Sequence, residues 1–176
     1  MLAVIVVLTA GWPLVSTAVA GHRPLAAGAT VRVGPTVAES GRVTVGPGWS
    51  VLTASSNPRQ SYSLGRGALR LSVRYVYVAS ATRPGQLWQG LRQQLRVGNP
   101  GVTPGRPQVI TTVDGSRGLT AALSGAGQTG RAAVFAAPTG RFAIEMIMLG
   151  PPSTAPVMRI AGLAVLQSLR FPAARR

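Results

Sequence analysis

Apolar and polar residues alternate over several short stretches of the chain, most clearly over residues 68–78. In a strand there, the apolar and aromatic residues at positions 69, 71, 73, 75 and 77 would share one face, and Arg70, Ser72 and Arg74 would share the other. The same period of two predicts further strands over residues 42–45, 49–52, 108–113, 118–123, 131–137 and 141–149. The strand over 141–149 is apolar on both faces near its end, which predicts that both faces are covered.

Two segments repeat their apolar residues at helical spacing instead. The first follows Thr82, which can cap a helix, and Pro84, which is tolerated in a first turn; its apolar positions are 87, 88, 91 and 95. The second follows Ser153 or Thr154, has Pro156 in its first turn, and is apolar at 157, 160, 161, 163 and 164. A short strand over 168–171 closes the predicted domain.

Glycine-containing turns separate the predicted strands. Asp114 followed by Gly115 is a strong hairpin signal. The glycine-rich stretches at 65–67 and 125–130 resemble phosphate-binding loops in composition, but such a loop requires a following helix. Because a predicted strand follows each stretch, we interpret both as hairpin turns.

The first 21 residues form an uncharged, largely apolar run. About 20 such residues are enough to cross a hydrocarbon core of about 30 Å, so the sequence predicts a transmembrane helix or signal anchor over residues 1–21. Two alternatives stay open: signal-peptidase cleavage after Ala20, which the small residues around it favour, and a buried soluble helix. Residues 22–40 contain repeated glycine and proline and predict an extended linker, in which residues 30–33 could add an edge strand.

Two signals in the sequence point to opposite sides of the membrane for the domain. His22, Arg23 and Arg32 lie just after the apolar run, and the positive-inside rule taken alone would place them in the cytoplasm. An N-terminal apolar run is, however, the usual signal for export. We therefore expect a single-pass plasma-membrane protein whose domain is extracytoplasmic.

The composition limits the kinds of catalytic or metal site that the chain can form. The chain has no cysteine, one histidine and three acidic residues, which leaves almost nothing for a metal site, a thiol nucleophile or an acid/base pair. We expect no cofactor, no metal and no enzymatic activity. His22 is interpreted as an interfacial residue, Asp114 as a turn residue, and Glu145 as part of a structural ion pair or as exposed at a strand end.

All 18 basic residues are arginines, and the formal net charge is +15. Positive charge spread along a whole domain attracts polyanions in general, and at a membrane the nearest are anionic lipid headgroups or phosphate-bearing envelope polymers. Arg70 and Arg74 share one strand face and are the candidate polyanion contacts. The alternative is that nucleotide composition favours arginine and that the charge mainly serves solubility.

Residues 43–49, 82–88, the hairpin at Asp114 and Gly115, and residues 160–171 together resemble the PsbP-like α/β/α sandwich of actinobacterial membrane-anchored envelope proteins and Lpq-type lipoproteins. The resemblance implies an α+β domain over residues 41–173, in which an antiparallel sheet lies between two helices. It also implies a non-enzymatic domain, and its motifs mark packing and turns, so no functional residue is carried over. The lipobox cysteine of the lipoprotein members is absent here.

Taken together, these features predict a non-enzymatic envelope binding or accessory module, integral in the membrane through one span, with a strongly basic domain. Its expected partners are the membrane, anionic lipid or an envelope polyanion, and a protein that the sequence does not identify. The apolar run argues against a nucleic-acid-binding protein. A secreted polyanion-binding protein and an enzyme with unrecognised residues stay open as alternatives.

Overall fold

The structure is a computed structural model that describes residues 21–78 and 82–172. In chain order its strands are β1 (His22–Pro24), β2 (Thr30–Val33), β3 (Gly41–Thr44), β4 (Ser50–Leu52), β5 (Ser61–Arg66), β6 (Leu69–Tyr77), β7 (Thr103–Pro104), β8 (Gln108–Thr111), β9 (Arg117–Gly125), β10 (Gln128–Ala136) and β11 (Phe142–Gly150). Helix α1 spans Pro84–Gly98, helix α2 spans Pro156–Gln167, and a 3₁₀ turn spans Thr53–Ser55.

Nine strands form one antiparallel sheet in the order β1-β4-β5-β6-β11-β10-β9-β7, with β8 also paired to β9. Strands β2 and β3 form a separate hairpin. The predicted turn at Asp114 and Gly115 joins β8 to β9, and the glycine-rich stretches join β5 to β6 and β9 to β10. The interpretation of these stretches as hairpin turns is therefore confirmed.

The main sheet has an apolar core on each side. On what we call the front face, Trp49, Phe142 and Ile144 pack beneath the β2–β3 hairpin and helix α2. Phe142 stacks on Tyr75, with ring centroids 5.1 Å apart, and meets Phe171 edge-on at 5.7 Å. On the opposite, back face, the buried residues of helix α1 pack on β9 and β10; they are Trp88, Leu91 and Leu95. Strand β11 is thus covered on both sides, as its sequence predicts.

The predicted α/β/α sandwich is wrong, because neither face of the sheet carries a layer made of helices. On the front face, much of the cover is the β2–β3 hairpin, whose inward residues Val31, Val33 and Val43 join the core. Helix α2 packs beside this hairpin, on β3 and β6. On the back face, α1 packs mainly on β7, β9 and β10, and Ala143 and Leu149 of β11 join the same cluster. The described part of the chain is a mostly antiparallel β structure with two helices packed against it.

The predicted membrane-spanning segment, residues 1–21, lies outside the described residues except for Gly21. Neither helix in the described part of the chain is long and apolar enough to span a membrane.

The predicted linker, residues 22–40, supplies strands β1 and β2, and Val31 and Val33 are buried in the core.

Helix α2 lies close to the sheet because glycine stands at the contact. A Cβ atom on Gly162 would overlap the sulfur of Met148 and lie 3.1 Å from a methyl carbon of Leu69. The helix begins after Ala155 and not with a capping side chain of Ser153 or Thr154. The Thr154 hydroxyl instead donates a hydrogen bond to the carbonyl oxygen of Pro151 at 2.7 Å.

Candidate anion-binding groove

The part of the back face that helix α1 leaves uncovered forms a groove. It runs between the C-terminal half of α1 and strands β4, β5, β6 and β11, and its volume is about 330 Å³. This lies near the lower end of the range for small-molecule sites, about 300–1,000 Å³. We call it the sheet groove. Its apolar walls are formed by Leu52, Ile147 and Leu149, and its polar lining includes Ser63, Ser72, Arg70, Arg74 and Gln94. Leu64 and Leu71 also border it, but their side chains are buried in the front core.

Both arginines singled out by the sequence line the sheet groove. Arg70 and Arg74 lie four residues apart on β6, so the period of a strand turns both side chains to the back face. The Arg70 guanidinium is anchored at the β5–β6 turn, where its Nη1 donates to the carbonyl oxygens of Gly67 at 2.8 Å and Leu69 at 3.3 Å. Arg70 is exposed and Arg74 is half-buried, so both guanidinium groups are open to a ligand on at least one side.

Glu145 lies directly opposite Arg74 in the register of β11 with β6. Its side chain is only 5% exposed, and its Oε2 atom accepts no hydrogen bond. Burial raises the pKa of this carboxyl, and the positive charge of Arg74 opposes that rise. The expected ion pair or strand-end exposure is replaced by a carboxyl in the middle of a buried strand, with one oxygen unpartnered.

Gln94 is a groove residue that the sequence analysis missed. It follows Leu91 by three positions on α1, beside the buried stripe of the helix, and its Oε1 atom is buried without a hydrogen-bond donor. A buried amide oxygen without a donor is costly, and a ligand that donates a hydrogen bond would remove that cost. The only signal in the sequence is its position next to the apolar stripe, which many surface glutamines share.

The remaining titratable candidates lie apart from one another. His22 is exposed on the edge strand β1, four strands away from Glu145 on β11, or on the order of 19 Å at the usual spacing between strands. Partial burial tends to raise the pKa of Asp114, but hydrogen bonds from the Thr112 hydroxyl and the backbone N–H of Ser116 outweigh it and hold the pKa below the usual value. No three metal-ligating side chains come together in the residues that the structure describes.

Arg74 also borders a second, wider hollow of about 570 Å³ at the far end of β6. Its lining is Pro35, Arg59, Gln60, Ser61, Arg74, Tyr75 and Tyr77. Tyr77, Arg59 and Gln60 are exposed, so a ligand there would stay largely in water. The sheet groove offers the more enclosed combination of apolar walls and positive charge.

No family model and no curated protein matches this chain. Among solved structures, a protein from Bacteroides thetaiotaomicron VPI-5482 is similar to 75% of this chain, at 10% sequence identity and a TM-score of 0.36. The match covers 45% of that protein. None of these comparisons bears on the resemblance to PsbP-like domains, which stays a prediction.

Proposed function

We propose that the protein is a non-enzymatic binding module, anchored at the membrane by its N-terminal apolar run, and that its sheet groove binds an amphipathic anion. The anionic head, a phosphate or a carboxylate, lies between Arg70 and Arg74. The apolar part lies against Leu52, Ile147 and Leu149.

The observation that carries this proposal is the pairing of two guanidinium groups with apolar walls in one concave site. Guanidinium groups bind phosphate and carboxylate oxygens with charge-assisted hydrogen bonds, which are stronger than neutral ones. Of the described acids, Glu145 lies opposite Arg74 but is buried, and Asp114 belongs to a turn elsewhere. A polyanion without an apolar part would leave the walls of the groove unused.

The proposal is tested with three probes. Hexyl phosphate has both an anionic head and an alkyl tail, inorganic phosphate has only the anionic head, and hexyl glucoside has only the alkyl tail on an uncharged sugar. Each is titrated by calorimetry into the full chain held in neutral-lipid nanodiscs, with empty nanodiscs as the blank. Charge-assisted hydrogen bonds contribute roughly 1.5–3 kcal/mol and each buried methylene about 0.8 kcal/mol, so hexyl phosphate should bind at least about tenfold more tightly than either partial probe.

Substitutions of the two groove arginines test whether hexyl phosphate binds in the sheet groove. Arg70→Gln and Arg74→Gln should each weaken hexyl phosphate binding about tenfold or more. Arg106→Gln and Arg117→Gln remove the same charge from exposed positions outside the groove and should leave the affinity unchanged. Equal affinity for hexyl phosphate in the groove variants and the unsubstituted chain would refute the proposal.

A further inference from the structure

Three arginines form a row across the outer side of the β2–β3 hairpin, far from the sheet groove. Arg32 lies directly opposite Arg42 in the hairpin register. Arg42 in turn pairs with Arg170, the second residue after the C-cap of α2, through two backbone hydrogen bonds of 2.9 and 2.8 Å. All three side chains are exposed. We call Arg32, Arg42 and Arg170 the arginine row.

The arginine row places like charges side by side. Adjacent strands lie about 4.8 Å apart, so the three residues span on the order of 10 Å. Like charges directly opposite one another destabilise a sheet, and each such pair costs roughly 0.2–1 kcal/mol. The other outward pair of the hairpin, Thr30 with Thr44, is uncharged and relieves none of this repulsion.

One carboxylate lies near the end of the row. Asp114 lies near Phe171, the neighbour of Arg170, but its Oδ1 atom accepts hydrogen bonds from Thr112 and Ser116. A bound anion is the direct way to offset the repulsion between three adjacent guanidinium groups.

Helix α2, which covers the front face together with the hairpin, also exposes apolar side chains on its outer side. Val157 and Ile160 point away from the core on α2 and are 62% and 66% exposed. Between α2 and the hairpin lies an open hollow of about 430 Å³. It is lined by Gly28, Thr44, Val45, Gly46, Pro47, Arg66, Ala161, Ala164, Val165 and Ser168. Helix and hairpin are joined here, since the backbone N–H of Thr44 donates a hydrogen bond to the Ser168 hydroxyl oxygen at 2.9 Å.

We infer that this outer surface is a docking face for an anionic lipid bilayer. The arginine row contacts headgroup phosphates, and Val157 and Ile160 enter the boundary between headgroups and acyl chains. Cationic and exposed aliphatic side chains on one face suit that boundary, where apolar burial and attraction to anionic lipid add together. A nucleic acid would use the arginines but gain little from Val157 and Ile160, because its bases stack on aromatic rings.

Because the chain contains no cysteine, a single introduced cysteine can be labelled at one chosen position. Val157→Cys is labelled with a polarity-sensitive fluorophore in the full chain, reconstituted in vesicles that are either neutral or contain phosphatidylglycerol. Val97→Cys is the matched control, since Val97 is 81% exposed on α1, over the opposite face of the sheet. A blue shift is expected at position 157 in anionic vesicles only, and none at position 97.

Variants that remove positive charge test whether the blue shift at position 157 depends on the arginine row. Replacing Arg32, Arg42 and Arg170 together by Gln should abolish it, whereas the same replacement at Arg106, Arg117 and Arg141, which are also exposed, should preserve it. Raising the salt from about 0.05 to about 0.5 M should reduce it, because screening shortens the electrostatic field. Cooperative thermal unfolding of the triple variant, at a temperature no lower than that of the unsubstituted chain, serves as the folding control.

Three results would overturn the inference: no shift at position 157, an equal shift at position 97, or a shift that survives loss of the arginine row. Binding of soluble polyphosphate that depends on the row, without any shift at position 157, would exclude the bilayer as the occupant. Hexyl phosphate binding should be the same in the triple variant, so failure of this docking face and failure of the sheet groove are distinguishable.

Discussion

Glu145→Gln tests the electrostatics of the back face most directly. In the folded chain this carboxyl is buried and its Oε2 accepts no hydrogen bond, so its pKa lies above that of the unfolded chain. The folded state therefore binds the proton more tightly than the unfolded state does. Stability linked to Glu145 is complete below the unfolded pKa of about 4.3 and is lost as the pH rises through the higher, folded pKa.

The size of the effect follows from the cost of an unpaired buried group. Leaving a buried polar group unsatisfied costs roughly 1–3 kcal/mol, and the nearby positive charge of Arg74 reduces the cost for a carboxylate. Glutamine has nearly the same shape and stays neutral. We therefore expect Glu145→Gln to raise the free energy of unfolding by about 1–2 kcal/mol at pH 8, and to change it little at pH 4, where the carboxyl is protonated.

The measurement is the unfolding of the full chain in neutral-lipid nanodiscs, followed by circular dichroism between pH 4 and pH 8. Glu39→Gln is the matched control, because Glu39 precedes strand β3 and is not buried. Its replacement should change the free energy of unfolding by no more than about 0.5 kcal/mol. A difference for Glu145→Gln that is the same at pH 4 and pH 8, or that is destabilising at pH 8, would refute the reasoning.

Four further outcomes are expected. Trp88→Ala should cost about 3–5 kcal/mol in urea melts because Trp88 is 4% exposed, whereas Val97→Ala on the same helix should cost under about 1 kcal/mol. Gly162→Ala should destabilise by about 1–3 kcal/mol, since its methyl group overlaps a methionine of the sheet. Arg42→Gln should stabilise by about 0.2–1 kcal/mol at low salt, an effect that about 1 M salt should remove. The full chain should resist carbonate extraction from membranes and be degraded by protease added to whole cells; a soluble product that starts at Gly21 would indicate cleavage instead.

The faces of the long strands could be predicted because alternation with a period of two is a local property. Strand β6 has a long alternating pattern, and the predicted face of Arg70 and Arg74 is the one that lines the sheet groove. Strand β5 was missed: its sequence from Ser61 to Arg66 is short and largely polar, and its place in the sheet comes from pairing with β4 and β6. Local pattern alone does not specify such a strand.

The layer that covers the front face could not be predicted for a related reason. Alternation indicates that Val31, Val33 and Val43 lie on strands, but not that these strands leave the main sheet and pack over it. The register that joins Arg42 to Arg170 depends on tertiary packing, so the arginine row is invisible in the sequence. The sheet groove likewise depends on how far α1 extends over the sheet. The sequence of β6, which carries the two arginines, does not determine this.

The two proposed contacts lie on opposite sides of the main sheet, and this arrangement constrains how the domain sits at a membrane. Gly21 leads directly into β1, an edge strand, so the proposed anchor joins the domain at the rim between the two faces. Either face can then turn toward the bilayer, and the arginine row with Val157 and Ile160 favours the front. The sheet groove would then face away from its own membrane. An amphipathic anion must consequently reach it from the surrounding solution or from a second protein, which is the role expected of an accessory module that works beside a larger partner.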